Sequence, residues 1–227
     1  MVHAPLPQRP VLAKIFGIAI VLAVLASSLA LVHSNSTSIG STAVLRFAIV
    51  RDWVVAIVLI ATVFYWERLP WSSLGVYSLT WRDVLLGVGG FVVGIVAFGA
   101  GGFLVHALDL GNTSTGIRAL AQIPMPARIA LILTTGITEE IIFRGYLLER
   151  VAALARSIPV GALVSLVVFG LGHIGGWGIG GAVQITLWTI VITWLYASTR
   201  RVLPCVIMHM LNDAFAFIII PALMYRG

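Results

Sequence analysis

The sequence predicts an all-α fold, a polytopic membrane helix bundle of about seven transmembrane helices with its N-terminus in the cytoplasm. Three observations carry this. Of 227 residues, 60% are hydrophobic and only 10% are charged, and the mean hydropathy is +1.07; a soluble domain has about a quarter of its residues charged. Apolar runs of about 20 residues, the length that crosses a bilayer, recur along the chain. Basic residues gather in alternate loops.

The first predicted span is Val11 to Val32. Arg9 and Lys14 flank its start as in a signal peptide, but the run outlasts an ordinary signal core and no small-x-small cleavage site follows, so a retained helix is expected. A polar linker with the glycosylation-type triplet Asn35-Ser36-Thr37 comes next. The second span is Ala43 to Trp66, with Arg46, Arg51 and Asp52 in its first turns. The loop after it carries Trp71, Tyr77 and Trp81, which suit the headgroup level. The third span, Val84 to His106, is rich in glycine, including Gly90-x-x-x-Gly94, and small residues at that spacing allow close helix packing. A polar loop is expected from Asp109 to Met125. The fourth span runs from Ala127 to Leu154 and the fifth from Val160 to His173. "GGWGIGG" breaks the chain there, and spans six and seven follow at Ala182 to Ser198 and Leu203 to Met224. Residues 1–125 then form an N-terminal transmembrane region of three spans, and residues 126–227 a core of four.

Charge tests this division. The N-terminus and the loops after even-numbered spans hold Arg9, Lys14, Arg68, Arg82, Arg150, Arg156, Arg200 and Arg201. The other side holds Arg118, Arg128 and Arg226. Basic loops stay in the cytoplasm, so an odd number of spans is expected. The same asymmetry explains the net charge of +6 through the anionic leaflet. No nucleic-acid partner is expected, because no basic patch interleaves with aromatics. Cys205 is the single cysteine, which excludes an intrachain disulfide and a cysteine-based zinc site.

Once charges at loops and helix ends are set aside, Glu139, Glu140, Arg144, His173, His209 and Asp213 remain inside apolar runs. Ionisable groups there are expensive, so they pair or line a cavity. Residues four apart share a helix face, which places Glu140 beside Arg144 and His209 beside Asp213. Glu139 is turned about 100° from Glu140. An ion pair of Glu140 with Arg144 therefore leaves Glu139 as the reactive carboxylate. Two imidazoles able to hold a metal, a carboxylate that can take a proton from water, and polar groups for an oxyanion are the parts of a hydrolytic centre.

"EEIIFR" fits Glu-Glu-x-x-x-Arg, "FGLGH" fits Phe-x-x-x-His, and "HMLND" fits His-x-x-x-Asn/Asp. In this order and on separate helices, they resemble the CAAX prenyl protease and bacteriocin-processing (CPBP, or Abi) family of intramembrane proteases. The resemblance covers roughly Arg128 to Phe215. It implies Glu139 as the general base, His173 as its assistant or a metal ligand, His209 and Asp213 as the rest of the centre, and Glu140 and Arg144 as its support. The family has been regarded as zinc-dependent, and a metal-free glutamate mechanism has also been argued for it. Where relatives often carry Asn, this chain has Asp213. An ionised carboxylate cannot donate a hydrogen bond, so Asp213 is a metal ligand, or is protonated, or Asn212 supplies the donor. A zinc ion held by His173, His209 and Asp213 keeps one coordination position open, as catalysis requires.

Depth offers one check. Glu139 and His209 lie about 16 and 12 Å from the cytoplasmic ends of their spans, but His173 lies about 25 Å from Arg156. The fifth helix therefore starts late or tilts. The expected substrate is a peptide or a membrane protein cut within the bilayer. For a prokaryotic chain, the resemblance implies the cell membrane and a substrate without a prenyl group. Two other readings compete: a proton or ion pathway, since buried Glu, His and Arg also form relays, and a non-catalytic immunity or scaffold protein.

Overall fold

The structure, a computed structural model, describes residues 8–33, 42–111 and 114–224. The polar linker 34–41 with its Asn35 triplet, and Arg226, lie outside them. The described residues are helical: α1 (Gln8–His33), α2 (Thr42–Ala61), α3 (Trp81–Ala107), α4 (Ser114–Ala121), α5 (Met125–Glu139), α6 (Glu149–Ala155), α7 (Ile158–Thr199), α8 (Val202–Ala214) and α9 (Ile220–Met224). Three π-helical segments, Thr62–Glu67, Glu140–Leu148 and Phe215–Ile219, extend α2, join α5 to α6 and join α8 to α9. Among the described residues, four helices are long and apolar enough to cross a membrane: Ala43–Glu67, Trp81–Ala107, Ile158–Thr199 and Val202–Met224. Large apolar side chains such as Phe47, Ile57, Val96, Phe103, Leu163 and Trp194 are exposed on the outside. That surface suits acyl chains.

Helix α7 replaces the two separate spans expected from 160 to 198. It runs for 42 residues and contains one non-helical residue, Gly178, at φ 69° and ψ 179°. Only glycine adopts that conformation without strain. The chain doubles back there. A Cβ on Gly170 would sit 2.2 Å from the Thr186 hydroxyl, although sixteen residues of straight helix would separate them by about 24 Å. The two ends also meet, since Ser157, Ile158 and Arg200 border one crevice. The break thus falls within "GGWGIGG", as the sequence indicates.

One region corrects the reading outright. The polar loop expected from Asp109 to Met125 contains α4, whose Ile117 and Leu120 are buried. Elsewhere the expected packing appears. Gly87, Gly94 and Gly101 of α3 approach Ile207, Trp188 and Gln184, so the glycines seat α3 against α7 and α8. Thr80 and Asp83 form a capping box at the start of α3, which satisfies donors at a helix end. Cys205 is fully buried, with its thiol near the Ile192 carbonyl.

Three of the basic residues assigned to loops, Arg150, Arg200 and Arg201, are tied to acids. Arg150 holds Glu67 at 2.6 Å and donates to the Ser73 carbonyl at 2.6 Å. Arg201 holds Asp83 at 2.5 Å, and Arg200 pairs with Glu149. These pairs join α2 to α6, α3 to the start of α8, and α6 to the end of α7. They form a polar layer that ties the ends of these helices together.

Candidate active site

The site stands where α5 passes into its π segment. Glu139 closes the α-helix and Glu140 opens the π-helix, a wider turn that recurs at functional sites. The two adjacent carboxylates face different surroundings. Glu140 is fully buried, and its Oε1 accepts from Arg144 Nη1 at 2.7 Å. Glu139 is 17% exposed at its side chain and borders a cavity of about 330 Å³.

Glu139, His173, His209, Asn212 and Asp213 all line that cavity. Glu140 and Arg144 stand behind it. The same Glu140 oxygen that holds Arg144 also accepts Nδ1–H of His209 at 2.7 Å. This bond fixes the ring and turns Nε2 toward the cavity, 3.6 Å from Asp213 Oδ2 and 3.9 Å from Glu139 Oε2. Those separations exceed a direct hydrogen bond. A single water about 2.8 Å from both Glu139 and His209 fits the geometry.

His173 reaches the cavity from deeper in the membrane. Its helix starts at Ile158, capped by Ser157 and two residues after Arg156, so a late start does not explain its depth. The side chain leans back toward the helix N-terminus, as helical side chains do. Its Nδ1 donates to the Phe169 carbonyl at 2.8 Å, which leaves Nε2 as an acceptor. Phe169 bridges the remaining space. Its ring lies 4.4 Å from the His173 ring and 6.3 Å from the His209 ring. Arg144 sits 4.5 Å above that same ring, a cation–π contact in a dry setting.

Three groups join the site from outside the motifs. Thr135 donates to Asp213 Oδ2 at 2.7 Å. Arg51 and Asp52 of α2 line the cavity as an ion pair at 2.8 Å. The sequence carried a signal for this pair: two adjacent charges inside an apolar run, like Glu139 and Glu140. They read as charges near a helix end, whereas α2 and its π segment place them in mid-span.

The donor set proposed for zinc does not gather. Among the described residues, no three His, Cys, Asp or Glu side chains converge as metal ligands. The Nε2 of His209 faces two carboxylates across 3.6 and 3.9 Å, and His173 stands beyond Phe169. As arranged, His173, His209 and Asp213 do not fit a bound ion, and no step below is routed through one.

Residues 121–215 match the family model described as type II CAAX prenyl endopeptidase Rce1-like. No curated protein and no solved structure matches the chain significantly. The matched segment supports a peptide hydrolase, and the apolar helices support a place in the membrane. Over that segment, the chain is similar to the CPBP/CAAX proteases, and the match supports that family.

Proposed function

We propose that this protein is an intramembrane endopeptidase in which Glu139 activates water and His209 stabilises the oxyanion. The observation that carries this reading is the shared cavity bordered by Glu139, His173, His209 and Asn212. Glu139 takes a proton from the water as its oxygen adds to the peptide carbonyl carbon. His173 borders the same cavity from the far side of Phe169 and assists Glu139 from there. His209 acts as an imidazolium, with Nδ1–H held by Glu140 and Nε2–H donated to the carbonyl oxygen. The Asn212 amide is the second donor, which answers the departure at Asp213. Glu139 then passes its proton to the leaving nitrogen as the C–N bond breaks. Water is consumed, and an acid and an amine are released.

In this reading the chain crosses the membrane seven times with its N-terminus in the cytoplasm, and both arms of α7 cross. Residues 1–125 supply a wall of the cavity, and residues 126–227 supply the chemistry. The substrate is a peptide or the end of a membrane protein that enters from the bilayer, and the membrane is a prokaryotic cell membrane. A peptide library incubated with purified protein in liposomes tests this. Mass spectrometry should find paired products from defined bonds, and His209→Ala should abolish them. Products that persist in His209→Ala would remove His209 from the chemistry. A proton flux lost with the same substitution, without any cleavage, would favour the ion-pathway reading.

A further inference from the structure

A crevice of about 230 Å³ opens at the polar layer and shares no lining residue with the central cavity. The α6–α7 turn bounds it through Arg156, Ser157 and Ile158, and Glu149 and Arg200 close the other side. Arg156 and Arg200 cap the C-terminal ends of α6 and α7. Both hold left-handed backbone, at φ 55° and 54°. Glycine is the usual residue at such helix ends, because it has no Cβ to clash. Here two long cations occupy them.

The charges in the crevice do not cancel. Glu149 is already committed: its Oε1 accepts from the Tyr196 hydroxyl at 2.6 Å, and its Oε2 pairs with Arg200. That bond uses Nη2 alone, and a guanidinium has five N–H donors. The Arg200 side chain is still 35% exposed. Arg156 is exposed, and among the described residues no acid pairs with it. Two guanidiniums against one carboxylate leave a single positive charge. The two helix C-termini and one N-terminus that meet there add about minus one half, so the crevice stays positive. Apolar surface begins beside it. Val160, two residues past Ile158, starts an exposed stripe of α7 that continues through Leu163, Val167 and Leu171, at the spacing of one helix face.

We propose that this crevice binds the phosphodiester headgroup of an anionic phospholipid, with Arg156 and Arg200 on the phosphate and an acyl chain along the stripe. The inference rests on the place of the chain in a membrane and not on hydrolysis. Planar guanidiniums recognise phosphate oxygens through paired N–H donors. One uncompensated positive charge matches a headgroup of net charge minus one, such as phosphoglycerol. A phosphoethanolamine headgroup is neutral overall and brings an ammonium into a site that is already positive. The bound lipid bridges the α6–α7 and α7–α8 turns and so clamps the two ends of α7.

The full chain is purified in detergent, and native mass spectrometry counts bound lipid as phosphatidylglycerol or phosphatidylethanolamine is added. Inorganic phosphate and glycerol phosphate, which offer the anion without acyl chains, form separate arms. Phosphatidylglycerol should bind about tenfold more tightly than phosphatidylethanolamine and should raise the melting temperature. Arg156→Gln, which breaks no ion pair among the described residues, should bring the two lipids to within about twofold of each other. Arg68 follows Glu67 in the polar layer but lies outside the crevice, so Arg68→Gln should keep the preference. Size-exclusion profiles and melts without lipid establish that both variants are folded. Equal binding of the two lipids overturns the inference. So does an equal loss in Arg156→Gln and Arg68→Gln, which would reduce the site to a diffuse surface field. Glycerol phosphate or inorganic phosphate bound as tightly as the lipid would overturn the lipid as occupant. None of these readings uses peptide cleavage, so the hydrolase reading is tested separately.

Discussion

Glu140 accepts the Nδ1–H of His209 at 2.7 Å through the oxygen that also holds Arg144 at 2.7 Å. One buried carboxylate oxygen thus joins a π-helical turn to α8 and sets the direction of the imidazole. A second-layer acid of this kind fixes both tautomer and orientation. Arg144 supplies its buried counter-charge.

Removal of this carboxylate strands a buried guanidinium. Glu140→Ala should destabilise the fold by about 3–5 kcal/mol. Glu140→Gln retains the shape but loses the charge that orients the imidazole. It should fold better than Glu140→Ala and still lose most of its hydrolytic rate. Thermal melts in detergent and initial cleavage rates check the two effects separately.

The hydroxyl of Thr135 donates to Asp213 at 2.7 Å. Thr135→Val removes one donor from that carboxylate, a loss of about 1–3 kcal/mol, equivalent on the order of ten- to a hundredfold in rate. Thr135→Ser should restore most of it. The expected change is in kcat with KM nearly constant, which steady-state kinetics on one cleavable peptide resolves.

Gly161 stands where α7 passes α6. A Cβ there would lie 2.4 Å from the Leu148 carbonyl oxygen and 2.8 Å from the Ala152 Cβ. Backbone cannot rotate away as a flexible side chain can, so Gly161→Ala forces the helices apart. The expected cost is about 1–3 kcal/mol, visible as a lower melting temperature. Gly89, with open space at its Cβ position, provides the control, and Gly89→Ala should melt as the parent does.

Because no three ligand-type side chains converge among the described residues, exhaustive chelation should leave cleavage unchanged. Metal analysis of the chelated protein, followed by an assay in metal-free buffer, tests this. Activity lost on chelation and restored by zinc alone would reverse the assignment of His209 as a hydrogen-bond donor.

The sequence carried the chemistry of the site better than its walls. Glu139, Glu140, Arg144, His173 and His209 stood out because ionisable groups are costly within apolar runs. Their four-residue spacings also held closely enough to pair Glu140 with Arg144. Helix spacing could not show that Glu140 also takes His209, because that contact spans 69 residues of sequence. Nor does periodicity reveal a π-helix, which keeps i,i+4 neighbours close while it widens the turn. Arg51 and Asp52 gave the same cost signal as the motif carboxylates. With Arg46 they read as charges in the first turns of the second span, a place where charge is ordinary. The reversal of α7 was legible in its glycines, whereas α4 was hidden by the polarity of its surroundings. Helix rise places the His173 backbone far from Arg156, and it leaves out the reach of side chains. The Phe169 ring, which fills the gap, lies outside that arithmetic.

The most direct measurement of the central claim is the rate of peptide hydrolysis by Glu139→Gln against the parent chain, in liposomes, at matched amounts of folded protein. Loss of the general base should slow cleavage between about 10²- and 10⁴-fold while peptide binding persists. Cleavage within threefold of the parent rate would contradict the account and exclude Glu139 as the group that activates water.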